Sequence, residues 1–548
     1  MHGRAIGVGC AYTQVSVTHS CYRSFFYPCV SFVSHHFLYS FFRGTTLIWF
    51  IMGYKREEIS EYHAELFPYL LSWGLREFRD EASYYDWQRE TLSKEELCDF
   101  QRLIEHRCGG EDVKGDIDFY DELARRDLIP VLYSQRFHYF LTIGTSVCAR
   151  ITPANQVLDF GCGVGILTLF FAQQHPGIEF VGIDRSSRSI EMACFEAEKR
   201  RIRNVRFEVS QVPLQQISGT YDLILSTHAL FQAEWEPGLP SQTWKTFQRA
   251  CDLQRQEQLE VLTGVQGRLD ALLRTLGPMG RMILFEKTWN LGRRILFQRA
   301  LDARGLFPVS SPVFCRYRSV DEEVIDGPLY EVARLSHGVE PFEWNEEPYR
   351  APGETLYRCI GIAAERMGQV LVKDKVSTTI TGVHSNMGSW RFRFGLWKEI
   401  VAWGLCEHSS GLTGLVIGGE ADRDLLYQLV ATVSHIAESD FQQLVHDFWG
   451  NMIHAPEDPS LPCYENHHSS AQIIYEGLPS KCILQETTCQ DGGGREMHIE
   501  LGTTTHLTYL YCANTFDQRQ LVLIDEGRAQ VLYEYYRESL QRPHGLPA

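Results

Sequence analysis

Short apolar runs alternate with amphipathic stretches through the middle of the chain. Val157-Leu158, Ile178-Glu-Phe-Val-Gly-Ile-Asp184, Val205-Arg-Phe-Glu-Val209, Tyr221-Asp-Leu-Ile-Leu-Ser226 and Met282-Ile-Leu-Phe-Glu286 read as strands. Between them a helix begins near Leu167, and a second runs from Ser186 to Lys199 with serine in the capping place. A third, Val265 to Leu276, is ended by Gly277-Pro278-Met-Gly280. Strands alternating with helices predict an α/β unit with a parallel sheet. A helix from Arg293 to Arg304, a strand around Pro312 to Tyr317 and another over Leu356 to Ala364 complete that sheet. The polar segment from Val320 to Pro352 reads as a surface excursion.

The pattern changes on both sides of this unit. Residues 52–150 are charged and helical, with Tyr120, Leu123, Leu128, Val131 and Leu132 at helical spacing and Pro130 as a break. Beyond residue 367 come strands such as Trp390-Arg-Phe-Arg-Phe394 and Gly414-Leu-Val-Ile-Gly418. Leu425, Leu426, Leu429, Val430, Val433 and Ile436 mark one helical face. Cys482 to Thr488 and His498 to Leu501 flank Gln490-Asp-Gly-Gly-Gly-Arg495, a hairpin signal; Leu521 to Ile524 and Ala529 to Tyr535 suggest another. Residues 368–548 are therefore expected to form an α+β accessory domain with an antiparallel sheet.

Residues 1–51 match neither flank. The stretch from Ser24 to Phe42 is uncharged and long enough for a membrane span, but Pro28, His35 and His36 interrupt it. Met52, followed by Gly-Tyr-Lys-Arg-Glu-Glu, reads as a natural start, and the residues before it as a non-native or disordered extension of the reading frame. A peripheral anchor over residues 24–52 is the alternative, and membrane contact is not otherwise expected.

The glycine-rich turn after the first strand carries the chemistry. Asp159-Phe-Gly-Cys-Gly-Val-Gly165 places glycines at 161, 163 and 165, where a Cβ would obstruct both the turn and a ligand approaching the backbone. A dinucleotide fingerprint needs its third glycine at position 166 or 168, which are Ile166 and Thr168. The spacing and the leading acid instead resemble the first motif of the class I S-adenosylmethionine-dependent methyltransferases. That resemblance implies a doubly wound, mixed seven-stranded α/β sheet over residues 151–367. It also implies S-adenosyl-L-methionine as cofactor and a helical cover, residues 52–150, closing over it. By the same resemblance Asp159, Gly161, Gly163 and Gly165 hold the methionine end and Asp184 the ribose, with Cys162 and Arg185 also among the cofactor-binding residues. Gln211 stands where the family commonly has an acid near adenine, and Ser226 ends the strand that faces the transferred methyl group.

Composition narrows the acceptor. The formal net charge is -17, so phosphate-rich partners would be repelled, which argues against nucleic acid. The 16 cysteines include no C-x-x-C pair, as expected of a reducing cytoplasm. His228, two residues past Ser226, is the best-placed general base, with Glu234 and Trp235 in the following variable segment. Tyr133, Arg136 and Tyr139 are candidate pocket residues from the helical cover. His454, Cys463, His467 and His468 lack metal-ligand spacing, so no metal is expected. The expected function is in-line methyl transfer to a small-molecule acceptor, such as a natural product. Non-methyl chemistry such as cyclisation, or a noncatalytic scaffold, are the alternatives, and the accessory domain is a candidate homodimer surface.

Overall fold

A computed structural model describes residues 56–334 save 110–112, 214, 232–237 and 321, residues 356–449 save 373–375, 385–387, 398–400 and 436–437, and residues 471–541 save 473–474, 477, 479, 491–494, 505–507, 518 and 525. The expectations for residues 1–51 lie outside the described residues. Among those described, no helix is long and apolar enough to cross a membrane.

Among the described residues, six helices precede the first strand: α1 (Arg56–Ser72), α2 (Glu81–Thr91), α3 (Lys94–Gly109), α4 (Val113–Leu123), α5 (Leu128–Ser134) and α6 (Phe137–Cys148). Five parallel strands follow: β1 (Gln156–Phe160), β2 (Glu179–Asp184), β3 (Val205–Val209), β4 (Tyr221–Thr227) and β5 (Leu276–Phe285). The helices between them are α7 (Ile166–Gln174), α8 (Ser187–Arg200), α9 (Leu253–Leu262) and α10 (Val265–Thr275). Ser186 caps α8 by accepting from the Ser189 N–H, as its position implies. Alternate strand residues point to opposite faces. Val157, Leu223, Ile283 and Phe285 join Leu66, Phe140 and Leu169 on one side of the sheet. Leu158, Ile224, Met282 and Leu284 join Leu269, Leu272 and Phe297 on the other. Both faces are covered, which is why these strands read as nearly continuous apolar runs.

Helix α11 (Leu291–Asp302) leads to β6 (Leu306–Pro308) and the short β7 (Val313–Phe314). Two strands of a small ribbon, β8 (Tyr317–Ser319) and β9 (Glu322–Val324), then precede β10 (Pro328–Arg334), which runs antiparallel to β5, β6 and β7. The sheet order is β3-β2-β1-β4-β5-β10-β6, with β7 paired to β10. The strand order reverses between β1 and β4, and that switch point is where the glycine turn emerges.

Three expectations are corrected here. Residues 328–334 are a buried strand between β5 and β6, not part of a surface excursion; Leu329, Tyr330 and Val332 are all enclosed. The strand around 312–317 resolves into two pieces, β7 on the main sheet and β8 in the ribbon. The strand over 356–364 is only β11 (Tyr357–Ile360), and it pairs with β15 (Thr413–Gly419) in a different sheet; helix α12 (Gly361–Leu371) follows directly.

That second sheet is antiparallel and includes β12 (Val376–His384), β13 (Gly388–Trp397) and β14 (Val401–His408), in the order β11-β15-β14-β13-β12. Helices α13 (Arg423–Thr432) and α14 (Glu438–Trp449) pack Leu426, Leu429, Phe441 and Trp449 against Phe392, Phe394 and Val416. A third sheet takes β16 (Cys482–Gln490), β17 (Glu496–Thr503), β18 (Thr508–Asn514) and β19 (Arg519–Ile524) in sequential order. The first expected hairpin there is present. The second is replaced by helix α15 (Glu526–Gln541), whose Ala529 and Tyr533 pack on Leu501 and Leu510. Residues 529, 532, 533 and 536 share one helical face, and packing on the sheet overrides the strand-like look of the tyrosines.

The third sheet is joined to the first unit through residues 238–250. The Ser241 N–H donates to the Thr515 carbonyl at 2.7 Å, Arg249 ion-pairs with Asp517, and the Trp244 ring stacks on His498.

Candidate active site

The glycine turn is built by β1 running into α7. Gly161, Gly163 and Gly165 all have positive φ, at 79°, 54° and 79°. Only glycine occupies such positions without strain. The three differ in surroundings. A Cβ on Gly161 would stand 2.3 Å from the Ala229 Cβ, and one on Gly165 would stand 3.0 Å from Ala193 and Phe207. On Gly163 it would meet only the Tyr133 hydroxyl, 3.8 Å away. Gly161 and Gly165 are thus required by packing, whereas Gly163 presents open backbone.

The turn is tied to the end of β2. The Gly161 and Cys162 N–H groups donate to the Ile183 carbonyl at 2.8 and 3.1 Å. The Asp184 carboxylate accepts from the Gly163 and Ser186 N–H groups, both at 2.9 Å. The Ser210 N–H donates to the Asp184 carbonyl, so exposed Gln211 sits beside the same strand end. Asp159 is buried under the turn, accepts from the Thr168 hydroxyl at 2.5 Å, and burial pushes its carboxyl up to about 6. Burial also pushes the Cys162 thiol up, which leaves it a neutral lining group.

Next to the turn, the chain leaving β4 is held in an unusual conformation. His228 has φ 57°, which costs a non-glycine residue on the order of 1–3 kcal/mol. Its N–H donates to the Phe285 carbonyl at 2.8 Å. Buried Glu286, at the end of β5, accepts from the Ala229 and Leu230 N–H groups at 3.0 Å and from the Ser226 hydroxyl at 3.2 Å. These bonds hold the strained backbone in place.

The His228 ring lies between Tyr139 and Phe285, with centroids 5.1 Å away on each side. Its Nδ1 is 2.8 Å from an Arg136 guanidinium nitrogen, and its Nε2 is 3.1 Å from Asp326 Oδ2. A guanidinium can only donate, so Nδ1 carries the lone pair and Nε2 the proton. Burial lowers the His228 pKa, against the opposing pull of Asp326, so the ring is neutral at pH 7. Burial alone would favour a neutral Asp326. The adjacent His228, Lys287 and Tyr317 outweigh it and keep the carboxyl well below the usual range.

Residues 151–288 match the family described as "Methyltransferase domain". They are a class I S-adenosylmethionine-dependent methyltransferase domain. The chain is 34% identical over 93 residues to trans-aconitate 2-methyltransferase of Deinococcus radiodurans, covering 17% of this chain and 34% of that one. It is 28% identical over 148 residues to the release factor glutamine methyltransferase of Aliivibrio fischeri, covering 26% and 50%. A solved methyltransferase from Geobacter sulfurreducens, in complex with S-adenosylhomocysteine, is 23% identical with a TM-score of 0.18, covering 26% of this chain and 45% of that one. The chain thus spans half or less of the length of these relatives.

The methyltransferase domain brings together most of the residues singled out in the sequence. Tyr133, Arg136 and Tyr139 come from the helical cover and meet the glycine turn and His228. His138, two residues from Arg136, points elsewhere, to Glu77 and Arg318. Ser226 is fully buried and spends its hydroxyl on Glu286, so its side chain supports the turn after β4 and does not reach into the site. Glu234 and Trp235 lie outside the described residues. Sequence reasoning missed Glu286, Tyr317 and Asp326. For Asp326 a signal existed: Asp326-Gly327-Pro328 is a turn followed by the apolar Leu329-Tyr330, the mark of an entering strand.

Proposed function

We propose that the protein transfers the methyl group of S-adenosylmethionine to a small-molecule acceptor held under its amino-terminal helices. The observation that carries this reading is the juxtaposition of Tyr133, Arg136, Tyr139 and His228 beside the glycine turn. These residues make an aromatic, largely enclosed site suited to a compact acceptor. The trans-aconitate enzyme among the relatives is named for such a substrate. When bound, the cofactor supplies an electrophilic methyl carbon.

The residues present fit that cofactor. Gly163 leaves backbone open where a ligand would lie, and the carboxylates of Asp159 and Asp184 flank it. Asp159 would accept from the ammonium and Asp184 from the ribose hydroxyls. His228, neutral and oriented by Asp326, would take the proton of a hydroxyl acceptor at Nδ1. Its lone pair is directed at Arg136, so the guanidinium has to move aside, toward the acceptor's own negative charge. The free cysteines scattered over the described residues support a reducing compartment such as the cytoplasm.

Asp159 gives a pH signature. The ammonium contact needs its ionised form, so cofactor affinity should be level above about pH 7 and fall by up to about tenfold per unit below about pH 6. For the free protein the sign is opposite. The folded value lies above the ordinary 3.8, so protonation favours the folded state, fully below that value and no longer once pH has risen through about 6. Calorimetric titration with S-adenosylhomocysteine across this range reads the first effect; affinity that stays flat at acid pH removes Asp159 from the contact.

The acceptor class is tested by incubating the purified protein with methyl-labelled cofactor and separated small-molecule, protein and RNA fractions of a cell extract. Label is expected in the small-molecule fraction. Label confined to protein or RNA overturns the acceptor assignment.

A further inference from the structure

Away from the methyltransferase domain, the third sheet carries a polar cluster on one face. His498 and Glu500 lie two residues apart on β17 and so share that face. Across the ladder, Glu486 of β16 stands directly opposite Glu500, and Thr488 directly opposite His498. Two like charges facing each other in an antiparallel pair destabilise a sheet unless something offsets them. Among the described residues no basic side chain forms an ion pair with Glu486. The nearby Lys481 ammonium lies over the Tyr475 ring, 3.6 Å from its centroid, rather than between the carboxylates.

The geometry points to a binding site for one divalent transition-metal ion of the zinc type, formed by Glu486, His498 and Glu500. One donor atom from each residue lies within 4.8 Å of the others. His498 Nε2 and Glu500 Oε2 are 3.6 Å apart, too far for a hydrogen bond. That separation is near the spacing of about 3.4 Å between two donors on one tetrahedral ion with bonds of about 2.1 Å.

Two further features prepare the donors. His498 is 3% exposed, and its Nε2 has no hydrogen-bond partner among the described residues, although a buried ring nitrogen ordinarily has one. Its Nδ1 is held by the Thr488 hydroxyl at 2.7 Å, and Trp244 stacks flat on the ring, with centroids 3.6 Å apart. With Nδ1–H donated to that hydroxyl, the Nε2 lone pair is left facing the carboxylates, where a cation is the partner it lacks. Glu500 is 1% exposed and is oriented by the Tyr475 and Tyr509 hydroxyls, at 2.8 and 2.6 Å. Those two hydroxyls account for the burial of Glu500. They do not account for Glu486 opposite it or for the ring nitrogen left without a hydrogen bond.

One nitrogen and two carboxylates suit Zn2+, Co2+ or Mn2+, with a remaining position for water. Because Trp244 belongs to the segment that joins the third sheet to the methyltransferase domain, the ion would also brace that junction.

The test uses the full chain, stripped with a chelator and titrated with Co2+, followed by visible absorption and by competition with Zn2+. One equivalent of Co2+ should develop ligand-field bands that Zn2+ abolishes. Glu486→Gln, at an exposed position, should weaken binding by at least about tenfold, and His498→Gln should weaken it further. Glu486→Asp should recover part of the loss. Absence of saturable binding overturns the site. So does binding with unchanged affinity in both Gln variants, which would put the ion on other histidines and cysteines of the chain.

Discussion

Asp184→Ala should weaken the binding of S-adenosylhomocysteine by at least about 100-fold. A carboxylate accepting from two ribose hydroxyls makes two charge-assisted hydrogen bonds, each contributing about 1.5–3 kcal/mol, and about 1.4 kcal/mol is tenfold in affinity. The substitution also removes the acceptor for the Gly163 N–H, so the turn loses an anchor while it loses the ribose contact. Because Asp184 is the last residue of β2 and only half-buried, the sheet itself should survive, and thermal unfolding checks that separately. Asp184→Asn is the sharper variant, since its amide oxygen can still accept from Gly163 while its charge is gone. Calorimetry reads both. Affinity within about threefold of the parent for Asp184→Ala would remove the ribose assignment.

His228→Asn should lower turnover by about 100- to 10,000-fold if the acceptor must lose a proton, the range contributed by general base catalysis. Asparagine is chosen because it tolerates the left-handed backbone that His228 adopts at φ 57°, whereas alanine would add strain to the loss of the ring. Asp326→Asn should produce a smaller loss with a changed pH profile. With the carboxylate gone, the remaining burial and Arg136 both depress the His228 pKa, so the acid limb of the rate profile should move to lower pH. A merely structural histidine would leave the profile of the Asp326 variant unmoved. Full activity in His228→Asn, with the backbone intact, would sink the base assignment and point to an acceptor that needs no deprotonation.

Elements specified by local pattern are legible in the amino-acid order alone. Strands β1, β2 and β4 are enclosed on both faces, so their apolar runs stand out, and the α8 start is marked by a capping serine. The acid-and-glycine turn is legible for a sharper reason: each glycine answers a backbone conformation that other residues resist. Residues 328–334 are not legible as a strand. Pro328, Glu331 and Arg334 give the segment a polar surface appearance, yet Glu331 is buried and paired with Arg281 on the neighbouring β5. A charge neutralised by a partner distant in sequence cannot be recognised from its own neighbours.

The sequence by itself determined the methyltransferase domain: the alternation of strands and helices, the turn at 159–165 and the acid at 184. These rest on period, backbone preference and spacing, all of which are local. Only the tertiary structure decided what His228 faces. Arg136 reaches it from the helical cover, Phe285 from β5, and Asp326 from the turn that enters β10. The same holds for the cluster of Glu486, His498 and Glu500, which exists only once β16 and β17 are in register. Electrostatics and proton position depend on distances between groups, and those distances are set by packing among elements that local sequence does not relate.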